Sequence, residues 1–114
     1  MGDALILDSR VERGCLILAV SGELVRYRCG RLINSIRERL NPGVQKVVID
    51  VSRLTHMTAS ALAELVEIHM LLAEGGHQLI LAAPSAQVRR LLVLAFLDKV
   101  IPTVPVLEDA LGPG

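Results

Sequence analysis

The stretch Val51-Ser52-Arg53-Leu54-Thr55-His56-Met57-Thr58-Ala59-Ser60-Ala61-Leu62 gathers small hydroxylic side chains where an apolar run gives way to a helical pattern. Thr58 stands where a helix N-cap is expected. The hydroxyls of Thr58 and Ser60 are of the type that caps a helix or receives a phosphoryl group, and both roles stay open for both residues. The first turn of a helix presents backbone N–H groups without intrahelical partners, and the macrodipole adds partial positive charge. An oxygen-rich or anionic group is stabilised there, so a phosphorylated side chain would be tolerated.

The other residues that carry chemistry do not assemble into a catalytic or metal-binding pattern. His56 precedes the hydroxyl cluster and reads as a loop residue or a partner contact. His69 falls on an apolar helical stripe and reads as a satisfied core histidine, and His77 follows Gly75-Gly76 at a helix–strand junction. Their spacing matches no zinc motif, so no metal is expected. Asp50 ends a β-type run, a place where open α/β sheets often put functional groups, but no base, nucleophile or oxyanion donor stands in register with it. Gly75-Gly76 lacks the Lys and Ser/Thr of a phosphate-cradling loop, so no nucleotide cofactor is expected. Cys15 and Cys29 lack ligand spacing and read as reduced, mostly buried thiols, with a bridge open in principle.

These residues must be positioned by elements that the hydrophobic pattern outlines. Ala4 to Arg10 and Cys15 to Val20 are β-type runs joined by Glu12-Arg13-Gly14, an opening hairpin. Cys29, Leu32, Ile33, Ile36 and Leu40 recur at helical spacing until Asn41-Pro42-Gly43 stops them. Val47-Val48-Ile49-Asp50-Val51 has the composition of a central strand buried on both faces. A second helix follows Thr58, with Leu62, Leu65, Val66, His69, Leu72 and Ala73 as its inner stripe and Gly75-Gly76 as its stop. Gln78 to Ala82 is a further buried strand. Pro84-Ser85 opens a third helix with Val88, Leu91, Leu92 and Ala95 inward and Arg89 and Arg90 outward, ending near Asp98-Lys99. Thr103 to Leu107 is a last strand that its proline confines to a sheet edge, and Glu108 to Leu111 makes a turn of helix. The order β-β-α-β-α-β-α-β, with that terminal turn, predicts an α/β fold: one mixed central sheet of four to five strands covered by helices. No boundary is visible between residues 4 and 108, so residues 1–114 are expected to form a single domain with its core at about 4–111.

Composition narrows the function further. The 114 residues carry 12 Lys+Arg against 12 Asp+Glu, a formal net charge of +0, which gives no field to attract nucleic acid or an anionic membrane. With Tyr27 and Phe96 as the only aromatics, base stacking has little to work with. Glu64, Glu67, Glu74, Arg89, Arg90 and Asp98 interrupt the apolar second half, so membrane insertion is not expected. Met1-Gly2-Asp3 puts an acid where a secretory signal carries positive charge, and a cytoplasmic location is the expectation. A hydrophobic fraction of 52% is high for so small a chain. Some apolar surface is expected to meet a partner, and a homodimer is one way to cover it.

The order and spacing of three segments resemble the STAS family, in particular its anti-sigma factor antagonists, and the resemblance runs nearly end to end. Ser21-Gly22-Glu23-Leu24 is similar to the family's Gly-Glu-Leu-Asp after the second strand. Arg53-Leu54-Thr55-His56-Met57 leads into its Asp-Ser-Ser-Gly loop, and Pro84-Ser85 with Val88 to Leu97 matches its third helix. The resemblance implies a STAS-like fold and a partner-switching component without enzymatic activity. In that scheme the unphosphorylated protein binds an anti-sigma factor that is also a serine kinase of the GHKL-ATPase type, and phosphorylation of the loop releases it. This sequence departs from the pattern: Thr58, Ala59, Ser60 and Ala61 stand under Asp-Ser-Ser-Gly, so the phosphoacceptor position is Ala59, and Val25 stands under the final acid of Gly-Glu-Leu-Asp. The resemblance therefore implies a contact surface at Glu23, Val25, His56, Met57, Thr58, Ala59, Ser60 and Ala61, with Thr58 or Ser60 as displaced acceptors. A STAS scaffold or regulatory subunit of a stress-signalling or lipid-transport complex, not phosphorylated at all, is the alternative.

Overall fold

A computed structural model describes residues 5–25 and 30–112. Tyr27 and Cys29, the first residue of the expected first helical stripe, lie outside them. β1 (Ile6–Glu12) and β2 (Cys15–Leu24) form the opening hairpin, closed between Glu12 and Cys15 by Arg13 and Gly14 at φ 54° and 74°. Two successive positive φ values give a turn whose twist matches that of the strands it joins, and glycine takes the second without steric cost. α1 (Gly30–Arg39) leads to β3 (Lys46–Met57), α2 (Ala61–Glu74) and β4 (Gln78–Ala82). α3 (Ala86–Leu94), a 3₁₀ turn (Leu97–Lys99), β5 (Thr103–Val104) and α4 (Leu107–Leu111) complete the chain.

The five strands form one sheet in the order β1-β2-β3-β4-β5, with β1 antiparallel to β2 and every later pair parallel. Alternation along β2, β3 and β4 supplies two apolar faces. Leu16, Leu18 and Val20, with Val47, Ile49, Leu79 and Leu81, pack on Leu32 and Ile36 of α1, Leu65, Ile68 and Leu72 of α2, and Val88 and Leu92 of α3. Cys15, Ile17, Val48, Ile80 and Ala82 face the other way, onto Ala110 and Leu111 of α4. Val47, Val48 and Ile49 are thus buried on both faces, as their composition requires. Each such aliphatic side chain contributes about 1.5–3 kcal/mol on full burial. Lys46 Nζ donates to Ala110 O at 3.0 Å, holding the short α4 against its face.

Several elements differ in detail from the sequence reading. Ile68 rather than His69 sits deepest on α2, Val66 and His69 are half-buried, and Ala73 is exposed. The Nδ1 atoms of His69 and His77 are buried without a hydrogen-bond partner among the described residues, and His69 as a whole is half-buried rather than part of the core. On α3, Val88 and Leu92 are buried while Ala95 is exposed. Ser85 does cap α3, accepting from Val88 N at 3.3 Å. The last strand stops at Val104, one residue before Pro105, and occupies the edge that a proline demands.

The largest difference is β3, which runs on to Met57 rather than ending near Val51. Beyond Asp50 it pairs with β2 alone, through two register shifts, between Ala19/Ser21 and between Gly22/Glu23. Each shift sets an extra β3 residue against β2. The buried positions become Val51, Leu54 and Met57, three apart, so the period of two that marks a strand is lost in the sequence.

Candidate functional site

The two bulges are held by side chains of the strand itself. Asp50 Oδ1 accepts from Ser52 N at 3.0 Å at the first, and Thr55 Oγ1 donates to Gly22 O at 2.9 Å at the second. Gly22 has φ 95°, a conformation that side chains rarely adopt, which accounts for a glycine in Ser21-Gly22-Glu23-Leu24. Beyond the second bulge Glu23 pairs with His56 and Leu24 with Met57, and Thr58 N donates to Leu24 O at 3.2 Å. The ends of β2 and β3 and the turn into α2 are thereby one connected unit at the C-terminal side of the parallel strands, where open α/β sheets place functional groups.

The turn itself is exposed at its tip and sealed at both ends. Ala59 and Ser60 are exposed and Thr58 is half-buried, whereas Met57 and Ala61 are 2% and 0% exposed and belong to the core under α2. Of residues 57 to 61, expected as a contact surface, Met57 and Ala61 are therefore out of a partner's reach, and 58 to 60 are the ones that meet solvent. Met57 is drawn in because it follows the second bulge in register with buried Leu24, and Ala61 because it starts the apolar face of α2.

Thr58 is also not the N-cap. Ser60 holds that position, in a helical conformation and without a side-chain cap bond. Thr58 Oγ1 and Ser60 Oγ lie 3.2 Å apart and bond to each other. Backbone bonds carry the chain into the helix instead: Ala61 N donates to Thr58 O at 3.0 Å and Leu62 N to Ala59 O at 3.1 Å. The Ala59 side chain takes part in none of this. A methyl group stands outermost on a turn built by its neighbours, with two hydroxyls beside it.

Of the remaining expected surface residues, Glu23 and Val25 are half-buried at the end of β2, and His56 is exposed beside Glu23. The structure thus brings Glu23, Val25, His56, Thr58, Ala59 and Ser60 together and leaves Met57 and Ala61 beneath them. Sequence reasoning missed Thr55 and Asp50 as the groups that aim this unit. The signal for them was Gly22, whose freedom is needed only if the strand departs from regular pairing. Arg89 and Arg90 are exposed on α3.

A shallow concavity of about 540 Å³ lies over the second face of the sheet, lined by Asp8, Arg10, Ser21, Asp50 and Arg53 among others. Among the described residues no group of three His, Cys, Asp or Glu side chains could hold a metal ion, and no helix is long and apolar enough to cross a membrane. Glu64, in the first turn of α2, has its carboxyl pKa raised by burial and further by Glu67, with Arg37 opposing. Cys15 is a buried free thiol.

Comparison with known proteins agrees with this architecture. The family model described as the STAS domain matches residues 7–110. Among solved structures, an anti-sigma factor antagonist from Mycobacterium paratuberculosis superposes with a TM-score of 0.83 at 25% identity, covering 95% of this chain and 92% of that one. SpoIIAA in its unphosphorylated form, a Bacillus cell fate determinant, gives 0.74 at 21%, over 94% and 92%. A sulfate transporter family protein from Wolinella succinogenes gives 0.77 at 16%, over 90% and 85%.

Proposed function

This chain belongs to the STAS family, and from that premise we propose that it acts by binding, as an anti-sigma factor antagonist whose partner is an anti-sigma factor and serine kinase of the GHKL-ATPase type. The observation that carries the proposal is the exposed turn Thr58-Ala59-Ser60, neutral and methyl-tipped, set beside Glu23, Val25 and His56. Likeness to the Mycobacterium paratuberculosis antagonist over nearly the whole of both chains supports the choice of partner class.

The loop at which members of this family take up phosphate has Ala59 at its acceptor position. A phosphate brings about −1.5 to −2 charge at neutral pH and must shed water if a partner covers the turn, so it opposes docking. Ala59 has no oxygen to phosphorylate. The protein holds its binding-competent state permanently, unless Thr58 or Ser60 serves as a displaced acceptor. Their hydroxyls already face each other at 3.2 Å, so a phosphate on either would add its charge beside the other's hydroxyl.

The experiment is affinity capture from native cell extract, followed by incubation of this protein with the captured kinase and ATP and measurement of intact mass. Capture of a kinase-type anti-sigma factor with no mass gain supports permanent binding. A gain of one phosphate that disappears in Thr58→Ala or Ser60→Ala moves the switch to that residue. The lack of an acceptor at Ala59 fits a second reading nearly as well, a STAS scaffold or regulatory subunit of a stress-signalling or lipid-transport complex. Capture of such a complex in place of a kinase selects it.

A further inference from the structure

β1 is the end strand of the sheet and, among the described residues, pairs with β2 alone. Its outer edge offers backbone N–H and C=O groups over seven residues. Soluble proteins usually blunt such an edge with a proline, a bulge, charged side chains or a very short strand. Ile6-Leu7-Asp8-Ser9-Arg10-Val11-Glu12 contains no proline, its seven pairs with β2 run without a register shift, and its charges, Asp8, Arg10 and Glu12, are of both signs, so they repel some partners and fit others. The opposite edge, β5, has only two residues and is followed by Pro105. Ile6 and Val11 on β1 are each 60% exposed.

The strand's own sequence specifies what fits this edge. Laid antiparallel against a second copy of itself and centred on Ser9, it sets Asp8 opposite Arg10 of the second copy, and Arg10 opposite Asp8. Leu7 then meets Val11 of the second copy, and Val11 meets Leu7. Ile6 meets Glu12 at either end, where no charges clash. Opposite charges and apolar pairs directly across antiparallel strands are stabilising, and like charges are destabilising. The neighbouring registers fail this test. Centring on Asp8 sets that carboxylate against itself, and centring on Arg10 sets guanidinium against guanidinium and Asp8 against Glu12. Arg10 is available, because its 3.3 Å pair with Glu12 joins two exposed side chains on one strand and contributes little in water.

We propose that two copies of this chain associate through β1 about a twofold axis at Ser9, joining their sheets edge to edge. The interface is isologous and closes on itself, so it yields a dimer and not a filament. It covers Val11 with Leu7 of the second copy on the helix-covered side of the sheet and neutralises two Asp8–Arg10 pairs on the other. β2 lies between this edge and the turn at residues 58 to 60, so the dimer does not depend on the proposed function.

Light scattering across a concentration series tests the proposal on the native chain, on Asp8→Arg, on Arg10→Asp and on the two substitutions combined, with circular dichroism melts to verify folding. The native chain is expected to dimerise. Each single swap places like charges opposite each other twice and is expected to raise the dissociation constant by about tenfold or more. The combined swap restores both opposite-charge pairs and is expected to return the constant to near the native value. A native chain that stays monomeric at all concentrations overturns the proposal. So does a dimer indifferent to the single swaps, or a combined variant that is no better than either alone.

Discussion

Ala59→Asp puts a carboxylate at the tip of the turn before α2 and separates the docking surface from the fold. The Ala59 side chain is exposed, and the bonds that build the turn, from Ala61 N to Thr58 O and from Leu62 N to Ala59 O, are backbone bonds that the substitution leaves in place. A negative charge at a helix start gains about 0.3–1 kcal/mol from the macrodipole. The melting temperature should therefore hold or rise by a few degrees. Binding should respond in the opposite direction. A partner that covers the turn strips water from the new carboxylate, and an unpaired buried polar group costs about 1–3 kcal/mol, more when charged. The dipole acts in both free and bound protein and offsets little of that. A loss of about 1.4 kcal/mol or more corresponds to at least a tenfold weaker complex. Calorimetric titration against the captured partner measures it, with Ala59→Asn as the control of nearly equal size and no charge. Unchanged affinity in a folded Ala59→Asp protein refutes the reasoning, and so does an equal loss in Ala59→Asn, because charge would then not be the cause.

Three further outcomes follow from the packing around this turn. Glu64 has a raised carboxyl pKa, caused first by burial and next by Glu67, so the stability linked to it is present below the ordinary value of 4.5 and is lost as pH rises through the folded value. Glu64→Gln should raise the melting temperature at pH 7 and leave it unchanged below about pH 4, whereas an equal gain at both would contradict the assignment. Thr55→Val removes the hydroxyl that donates to Gly22 O, and urea unfolding should show a loss of about 1 kcal/mol, against no measurable loss for the exposed Ser52→Ala. Ile68→Ala empties a fully buried site under α2 and should cost about 2–5 kcal/mol, while Ala73→Ser, on the exposed side, should cost less than about 0.5 kcal/mol in the same assay.

Much of the fold was legible because its elements obey simple periods. Val47-Val48-Ile49 and Gln78 to Ala82 read as buried strands from composition alone, and β4 has those bounds. Pro84-Ser85 read as the opening of the third helix, and the Ser85 hydroxyl accepts from the N–H of Val88, three residues on. The second half of β3 was not legible, because its buried residues Val51, Leu54 and Met57 recur every three positions and imitate neither a regular strand nor a loop. That spacing comes from pairing with β2, a long-range fact that no local window contains. The same bulges explain why a local reading does not tell the buried from the exposed residues around the turn. Each adds a residue to β3 and changes which side chains face the core, so Met57 goes in with Leu24 while His56 stays out beside Glu23. Gly22 and Thr55, joined by one hydrogen bond, thus act on the turn before α2 without being part of it: they set the register that decides which of its residues face solvent.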